Sequence, residues 1–332
     1  MGSISLFDFH QYHQGDAAQV RAELEAGLLR SPAQVAPKFF YDELGSRLFD
    51  AITELPEYYL TRVEASIFEA HGGSMAASIP PGAVMIDLGA GCCTKASRLF
   101  PVLRPAAYVA VDISVDYLHG SLEALRKLHP DLPMFGLGLD FSAQLALPAK
   151  VLDWLDALGL AQRPRVVFYP GSSIGNFAPA QAAQLIAQAH ALCLQGGEGG
   201  GLLIGVDSVK PRSVLEPAYD DPLGVTAAFN RNLLLHVNRL LGTDFSPAAW
   251  RHVAFFNEAR SCIEMHLESS VDQTVCWPGG QRHFKAGERM HTEDSFKWTG
   301  GAFRQLLRDA GFADATHWSD ARDWFSVFWA RA

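Results

Sequence analysis

Val84-Met85-Ile86-Asp87-Leu88-Gly89-Ala90-Gly91 is an apolar run of strand length that ends in two glycines. Strands buried on both faces of a parallel sheet read as continuous hydrophobic runs. Glycine tolerates positive φ and lets a ligand approach the backbone closely. The stretch therefore predicts a central strand feeding a tight turn. In an open doubly wound sheet that is where ligands bind, beyond the carboxyl ends of the strands. Four more short apolar segments follow, at 108–113, 134–139, 165–169 and 202–207. Helical periods lie between them, for example over 114–128 and 179–194. This alternation from 62 to 208 predicts an α/β fold with a doubly wound, Rossmann-like parallel sheet. The glycine-rich stretch 196–201 directly precedes the fifth strand and is expected to be a helix-to-strand turn.

Two acidic positions sharpen the reading. Asp112 ends the second strand, about 20 residues beyond the glycine turn, where a carboxylate can accept two ribose hydroxyls. Asp140-Phe141 ends the third, where an acid can accept an adenine amine and the aromatic can pack on its ring. The dinucleotide fingerprint GxGxxG/A would place glycine or alanine at position 94, which is Thr94, and the Walker pattern GxxxxGK[ST] is absent. Together the three strand ends read as a site for S-adenosylmethionine (SAM), with a dinucleotide as the alternative.

The rest of the chain differs in character. A helical period over 226–241 is followed by alternating, antiparallel-like strands at 262–269 and 273–277. A helix over 303–310 ends at Gly311, and short strands are expected at 316–318 and 324–329. The expected organisation is a SAM-binding domain of 62–208 plus 296–332. A second, smaller α+β substrate-binding domain takes 10–61 plus 209–295.

Formal net charge is −9 with no basic tract, which argues against nucleic acid and anionic lipid as partners. No apolar run approaches the roughly 18 residues of a membrane span. Residues 1–20 lack a cationic region followed by an apolar one, and Leu6 breaks the myristoylation pattern that Gly2 begins, so a cytoplasmic protein is expected. The cysteines number five and are scattered, which does not suit a disulfide framework. No Cys or His residues fall at zinc-ligand spacing, so no metal is expected.

Several longer segments carry a resemblance. They are Pro37-Lys38-Phe39-Phe40-Tyr41-Asp42, Leu55-Pro56-Glu57-Tyr58-Tyr59, Asp87-Leu88-Gly89-Ala90-Gly91, Gly171-Ser172-Ser173-Ile174-Gly175-Asn176, Tyr219-Asp220-Asp221 with the run 224–232, and Ile263-Glu264-Met265. Together they resemble the ergothioneine-pathway histidine Nα-methyltransferases, over about 35 to 330 of the chain. The resemblance implies a SAM-dependent methyltransferase domain with a module that takes L-histidine, a small-molecule substrate, and a monomer. It implies that Tyr58 contacts the imidazole, that Asn176 and Tyr219 hold the α-carboxylate and amine, and that Tyr41 lies near the amino group as the candidate catalytic residue. Glu293 and Ser295 are implied as the imidazole recognition pair, with Met265 beside them. Gly89, Gly91, Lys95, Asp112, Asp140 and Phe141 fall at the cofactor positions. Family members often carry Thr-Ser after the glycine turn. This chain has Cys92-Cys93, whose thiols are weaker donors, which puts cofactor affinity rather than the reaction in doubt.

The chemistry suits these residues. Glu293 can accept an imidazole N–H while a phenol or hydroxyl serves the other nitrogen. Methyl transfer is an in-line displacement, so positioning supplies most of the catalysis. Phe39, Phe40, Tyr41, Tyr58 and Tyr59 could hold the growing quaternary ammonium by cation–π contact. Three successive transfers are expected. The rivals are a methyltransferase for another amino acid or amine, such as a tryptophan derivative, and a catalytically silent SAM-binding scaffold.

Overall fold

The computed structural model describes residues 5–12, 17–142 and 144–332. In chain order its elements begin with β1 (Phe7–Gln11), α1 (Ala17–Leu29), α2 (Glu43–Thr53), α3 (Tyr59–Ser78), β2 (Val84–Leu88), α4 (Thr94–Leu103), β3 (Ala107–Asp112) and α5 (Val115–Leu128). There follow β4 (Met134–Gly138), α6 (Ala149–Ala157), β5 (Pro164–Tyr169), α7 (Pro179–Leu194), β6 (Gly197–Asp207), α8 (Arg212–Leu215) and α9 (Val225–Leu241). The last are β7 (Trp250–Asn257), β8 (Cys262–Ser269), β9 (Gln273–Trp277), β10 (Gly280–Phe284), β11 (Arg289–Phe296), α10 (Gly300–Asp309), β12 (Asp314–Ser319) and β13 (Phe325–Arg331). Among the described residues, no helix is long and apolar enough to cross a membrane.

The chain divides into two compact units. The first takes described residues 5–12, Leu60–Val209 and Trp298–Ala332. Its eight-stranded sheet runs β1-β4-β3-β2-β5-β6-β13-β12. The pairs from β1 through β6 are parallel, and β13 pairs antiparallel with both β6 and β12. The chain steps from β2 to β3 and β4 on one side, then returns to β5 and β6 on the other. The carboxyl end of β2 is therefore the topological switch point, where such sheets bind ligands. Every residue of β2 and β4 is buried, as strands covered on both faces require. Val84, Ile86, Val109, Phe135, Val167 and Phe328 belong to one core cluster.

The α/β fold expected from the sequence is present, with two corrections. The stretch Gly197–Gly201 is not a turn but the first half of β6. A Cβ on Gly201 would lie 2.7 Å from the Trp329 ring across the β6–β13 pair, so glycine there serves close packing inside a strand. The edge strand β1 pairs with β4, so His10 and Gln11 belong to the sheet unit rather than to the second domain.

The second unit takes 17–59 and Lys210–Lys297. It holds a three-stranded antiparallel sheet, β11-β8-β7, a two-stranded β10-β9 ribbon, and helices α1, α2 and α9. Helix α9 buries Phe229, Leu233, Val237 and Leu241, spaced by four along one face. Phe229 stacks on Phe40 at 4.6 Å between ring centroids. Asp42 caps α2 by accepting from the Gly45 N–H at 2.7 Å and also takes the Asn232 amide at 2.7 Å. This anchors the 37–42 segment, which carries Tyr41, to α9.

Candidate active site

In the sheet unit, the turn after β2 is built by the residues singled out from the sequence. Gly89 and Gly91 have φ of +69° and +51°. The Gly89 N–H bonds to the Val111 carbonyl at 2.8 Å, and a Cβ on Gly89 would meet nothing within 4 Å. The turn therefore presents bare backbone to open space, the cradle that close approach of a ligand needs. Asp112 ends β3. Its Oδ2 accepts from the Gly91 N–H at 2.9 Å and its Oδ1 from the Ser114 N–H at 2.8 Å. Burial raises its carboxyl, and the backbone N–H groups oppose that rise. Asp140 accepts from Ser142 N–H at 3.0 Å, and the Phe141 ring meets Tyr169 edge-on at 5.8 Å. Cys93 is buried at φ +58°, whereas Cys92 is exposed.

Lys95 pairs with a group that the sequence reading missed. Its Nζ lies 2.8 Å from Glu64 Oε2, and Glu64 Oε1 accepts from the Gly171 N–H at 2.8 Å. Glu64 is 1% exposed. A Cβ at Gly205 would come within 2.2 Å of its carboxylate, so glycine in β6 makes room for it. One acid on α3 thus ties the start of α4 to the loop after β5. That loop carries half-buried Asn176 on the 3₁₀ turn Ser173–Asn176. Glu64→Gln is expected to lower unfolding stability by about 2 kcal/mol, discounted because Lys95 stays one-third exposed to water. A urea midpoint equal to that of the parent would show that the pair holds nothing.

Asp87 is a second buried acid. Its Oδ2 accepts from the Tyr108 hydroxyl at 2.6 Å, while Oδ1 has no partner. Burial pushes its carboxyl up to about 7, against the Tyr108 bond that lowers it. The orphaned oxygen, the open glycine turn and the acids at two further strand ends fit a cationic, ribose-bearing cofactor such as SAM.

In the second unit, β11 decides the site. It pairs antiparallel with β8, and the register slips between His291 and Glu293. Thr292 is the extra residue, and its Oγ1 donates to the Met265 carbonyl at 3.0 Å. A bulge moves every later side chain to the other face. Glu293 and Ser295 are consequently buried, while Asp294 turns out to a bidentate pair with Arg260 at 3.0 and 2.6 Å. Met265 is the direct cross-strand partner of Glu293. Burial raises the Glu293 carboxyl to about 8; the charge of Lys297 opposes this and that of Asp294 adds to it, and no hydrogen bond acts on the group.

Ser295 joins a buried polar cluster. Tyr219 Oη and Ser295 Oγ lie 2.8 Å apart, and Lys297 Nζ donates to both, at 2.8 and 2.9 Å. Tyr58 meets Tyr219 edge-on at 6.3 Å and Phe49 at 6.1 Å. Tyr41 meets Phe49 and Phe229, both at 5.8 Å. Tyr41, Tyr58, Tyr219, Met265, Glu293 and Ser295 all belong to this unit, and Asn176 with the six cofactor candidates to the sheet unit. Lys297, only 3% exposed between Phe296 and Trp298, was missed. A lone lysine inside an aromatic run is the signal that could have found it, since lysine is almost never fully buried unless paired. Cys262, Glu264 and Asp294 also cluster, but Arg260 already bonds both carboxylates.

Comparison with known proteins adds the chemistry. A family described as histidine-specific, SAM-dependent methyltransferases matches residues 20–332. The chain is 36% identical to the histidine N-alpha-methyltransferase of Mycolicibacterium smegmatis, over 92% of each protein. It is 35% identical to that of Mycobacterium tuberculosis, over 93% of this chain and 94% of the relative. It is 29% identical to ergothioneine biosynthesis protein 1 of Neurospora crassa, over 87% of this chain but 32% of that longer protein.

Proposed function

The chain belongs to the SAM-dependent, histidine-specific methyltransferase family, and from that premise we propose that it methylates the α-amine of free L-histidine. Three transfers in succession give Nα,Nα,Nα-trimethyl-L-histidine (hercynine), the first step of ergothioneine biosynthesis. The observation that carries the reading is β11, where a bulge turns a carboxylate and a hydroxyl, Glu293 and Ser295, into the same buried layer. An imidazole offers one N–H donor and one acceptor nitrogen, and this pair answers both. An apolar amino acid would leave them unpaired, which is the strongest basis a pocket has for rejecting it.

The other residues follow from their groups. Asn176 and Tyr219 donate to the α-carboxylate without adding net charge. Tyr58 packs against the imidazole, with Met265 alongside Glu293. Tyr41 places its phenol oxygen to accept from the amine and so orients the nitrogen lone pair. The aromatic rings of Tyr41, Phe49 and Tyr58 give the methylated ammonium a surface for cation–π contact. In the sheet unit, Gly89 and Gly91 give SAM backbone access, Asp112 holds the ribose, and Asp140 and Phe141 take the adenine. Lys95, held by Glu64, borders the same turn. When bound, SAM supplies a sulfonium methyl group open to in-line attack. The protein's contribution is to hold a neutral amine in position for it, with most of the catalysis coming from that placement. The enzyme is proposed to act as a monomer in the cytoplasm, which light scattering and cell fractionation test.

The direct test is incubation with SAM and each of the twenty amino acids, read by mass spectrometry. Histidine alone is expected to gain methyl groups, and to gain three. A monomethyl product at completion would refute the count, and a preference for tryptophan would refute the substrate.

A further inference from the structure

We propose that Lys297 is a positioning residue for substrate recognition, an ammonium that orients the hydroxyls of Ser295 and Tyr219 and keeps Glu293 available as a hydrogen-bond acceptor. The inference rests on the reading of Glu293 and Ser295 as the imidazole-binding pair, and goes beyond it by naming what makes the pair work. Three observations carry it. Lys297 is 3% exposed and lies immediately after β11, the strand that bears both residues. Its Nζ lies 2.8 Å from Tyr219 Oη and 2.9 Å from Ser295 Oγ, which are themselves 2.8 Å apart. Its charge is also the strongest influence opposing the effect of burial on Glu293.

The consequence follows from donor arithmetic. An ammonium can only donate, so both hydroxyl oxygens act as acceptors towards Lys297. Without a ligand, one O–H is spent between the two hydroxyls and the other donates outside the triad. Because Lys297 holds both oxygens as acceptors, both O–H groups can turn outward when substrate enters. Lys297 therefore presents the two hydroxyls as donors to the substrate. Glu293 is the stronger acceptor when ionised, because a protonated carboxyl keeps only its carbonyl oxygen for that purpose. The charged groups acting on it are Lys297 beyond the strand end and Asp294 beside it on β11; its partner across the pair with β8 is uncharged Met265. Burial disfavours the ion and Lys297 offsets part of that effect, so that the carboxyl lies at about 8 rather than higher. Removing the ammonium is expected to push the Glu293 carboxyl further above 8 and so weaken it as an acceptor, beside hydroxyls that have lost a fixed donor.

The test is Lys297→Met, which keeps length and removes charge and donors. KM for histidine is expected to rise roughly 100-fold at pH 7, with kcat within about threefold and affinity for S-adenosylhomocysteine unchanged. The ratio of variant to parent KM cancels titration of the substrate itself. It is expected to fall several-fold between pH 7 and pH 9, as the Glu293 carboxyl, at about 8 in the parent and higher in the variant, ionises in both. A KM within threefold of the parent, or a ratio constant with pH, overturns the proposal, because a merely structural lysine would not produce a pH-dependent ratio. Infrared difference spectra of the parent protein with bound histidine, assigned by the band lost in Glu293→Gln, give a reading that does not depend on the variant folding. A carboxylate band supports the proposal and a carboxylic acid band refutes it. Glu293→Gln with an unchanged KM would instead sink the underlying imidazole assignment. A raised KM for Glu293→Gln with an unaffected Lys297→Met would sink only the role of the lysine.

Discussion

Glu293→Ala is expected to lower kcat/KM for histidine by roughly 100-fold, almost entirely through KM, while affinity for S-adenosylhomocysteine stays at the parent value. The carboxyl is buried and, among the described residues, no hydrogen bond acts on it, so its interaction is left for what enters beside it. Hydrogen bonds to charged groups contribute about 1.5–3 kcal/mol each, which sets the size of the loss. The same burial has a cost in the free protein. Folding raises the carboxyl from its usual range near 4.5 to about 8. Across that window the folded chain holds a proton that the unfolded chain has released, so stability falls as pH rises from about 4.5 towards 8. Glu293→Gln removes this dependence. It is expected to match the parent near pH 4 and to exceed it by up to roughly 3 kcal/mol at pH 8, read as a later urea midpoint. Equal midpoints at pH 8 would mean that the carboxyl is not confined as its burial implies, and an unchanged histidine KM for the alanine variant would remove it from the site.

How far the sequence disclosed this arrangement depended on whether function and packing ask for the same residues. Strands β2, β3, β4 and β5 are buried on both faces, so their apolar runs declare them without competition. Position β11 is the opposite case. Its inward positions after Thr292 are Glu293 and Ser295, and the strand carries a bulge. Neither an apolar run nor a clean alternation remains to be read, and the strand was not expected at all. Its functional residues emerged only through the family resemblance. Strands β7 and β10 escaped for a related reason, having mixed exposure without a clean apolar alternation. The glycines of β6 misled because glycine ordinarily signals a turn, whereas here Gly201 is pressed against Ala330 and the Trp329 ring of β13, and Gly197 and Gly200 against backbone at Gln162 and Arg165. Lys297 and Glu64 were invisible because charge suggests a surface, and only tertiary packing reveals that each is buried beside a partner.

Asp112→Ala is expected to raise the dissociation constant for S-adenosylhomocysteine by roughly 100-fold or more, and the reason is only partly the ribose. Both carboxylate oxygens already accept backbone N–H groups, from Gly91 and from Ser114. The side chain therefore shapes the glycine turn before any ligand arrives. Alanine would orphan two backbone donors at a cost of about 1–3 kcal/mol each, or let the turn relax away from its positive-φ form. Asp112→Asn keeps one carbonyl oxygen and can preserve one of the two bonds, so a loss of about tenfold is expected for it. Gly91→Ala separates the two contributions, since it leaves Asp112 intact but strains a residue held at φ +51°. If shaping the turn matters, Gly91→Ala should weaken cofactor binding alongside Asp112→Ala, with histidine affinity little changed in either. Calorimetric titration reads all three variants. An Asp112→Ala protein that binds S-adenosylhomocysteine like the parent would remove this strand end from the cofactor site. Loss in Asp112→Ala with none in Gly91→Ala would leave the carboxylate as a ribose ligand alone, with the shape of the turn secured by the Gly89–Val111 and Ala90–Val111 backbone bonds.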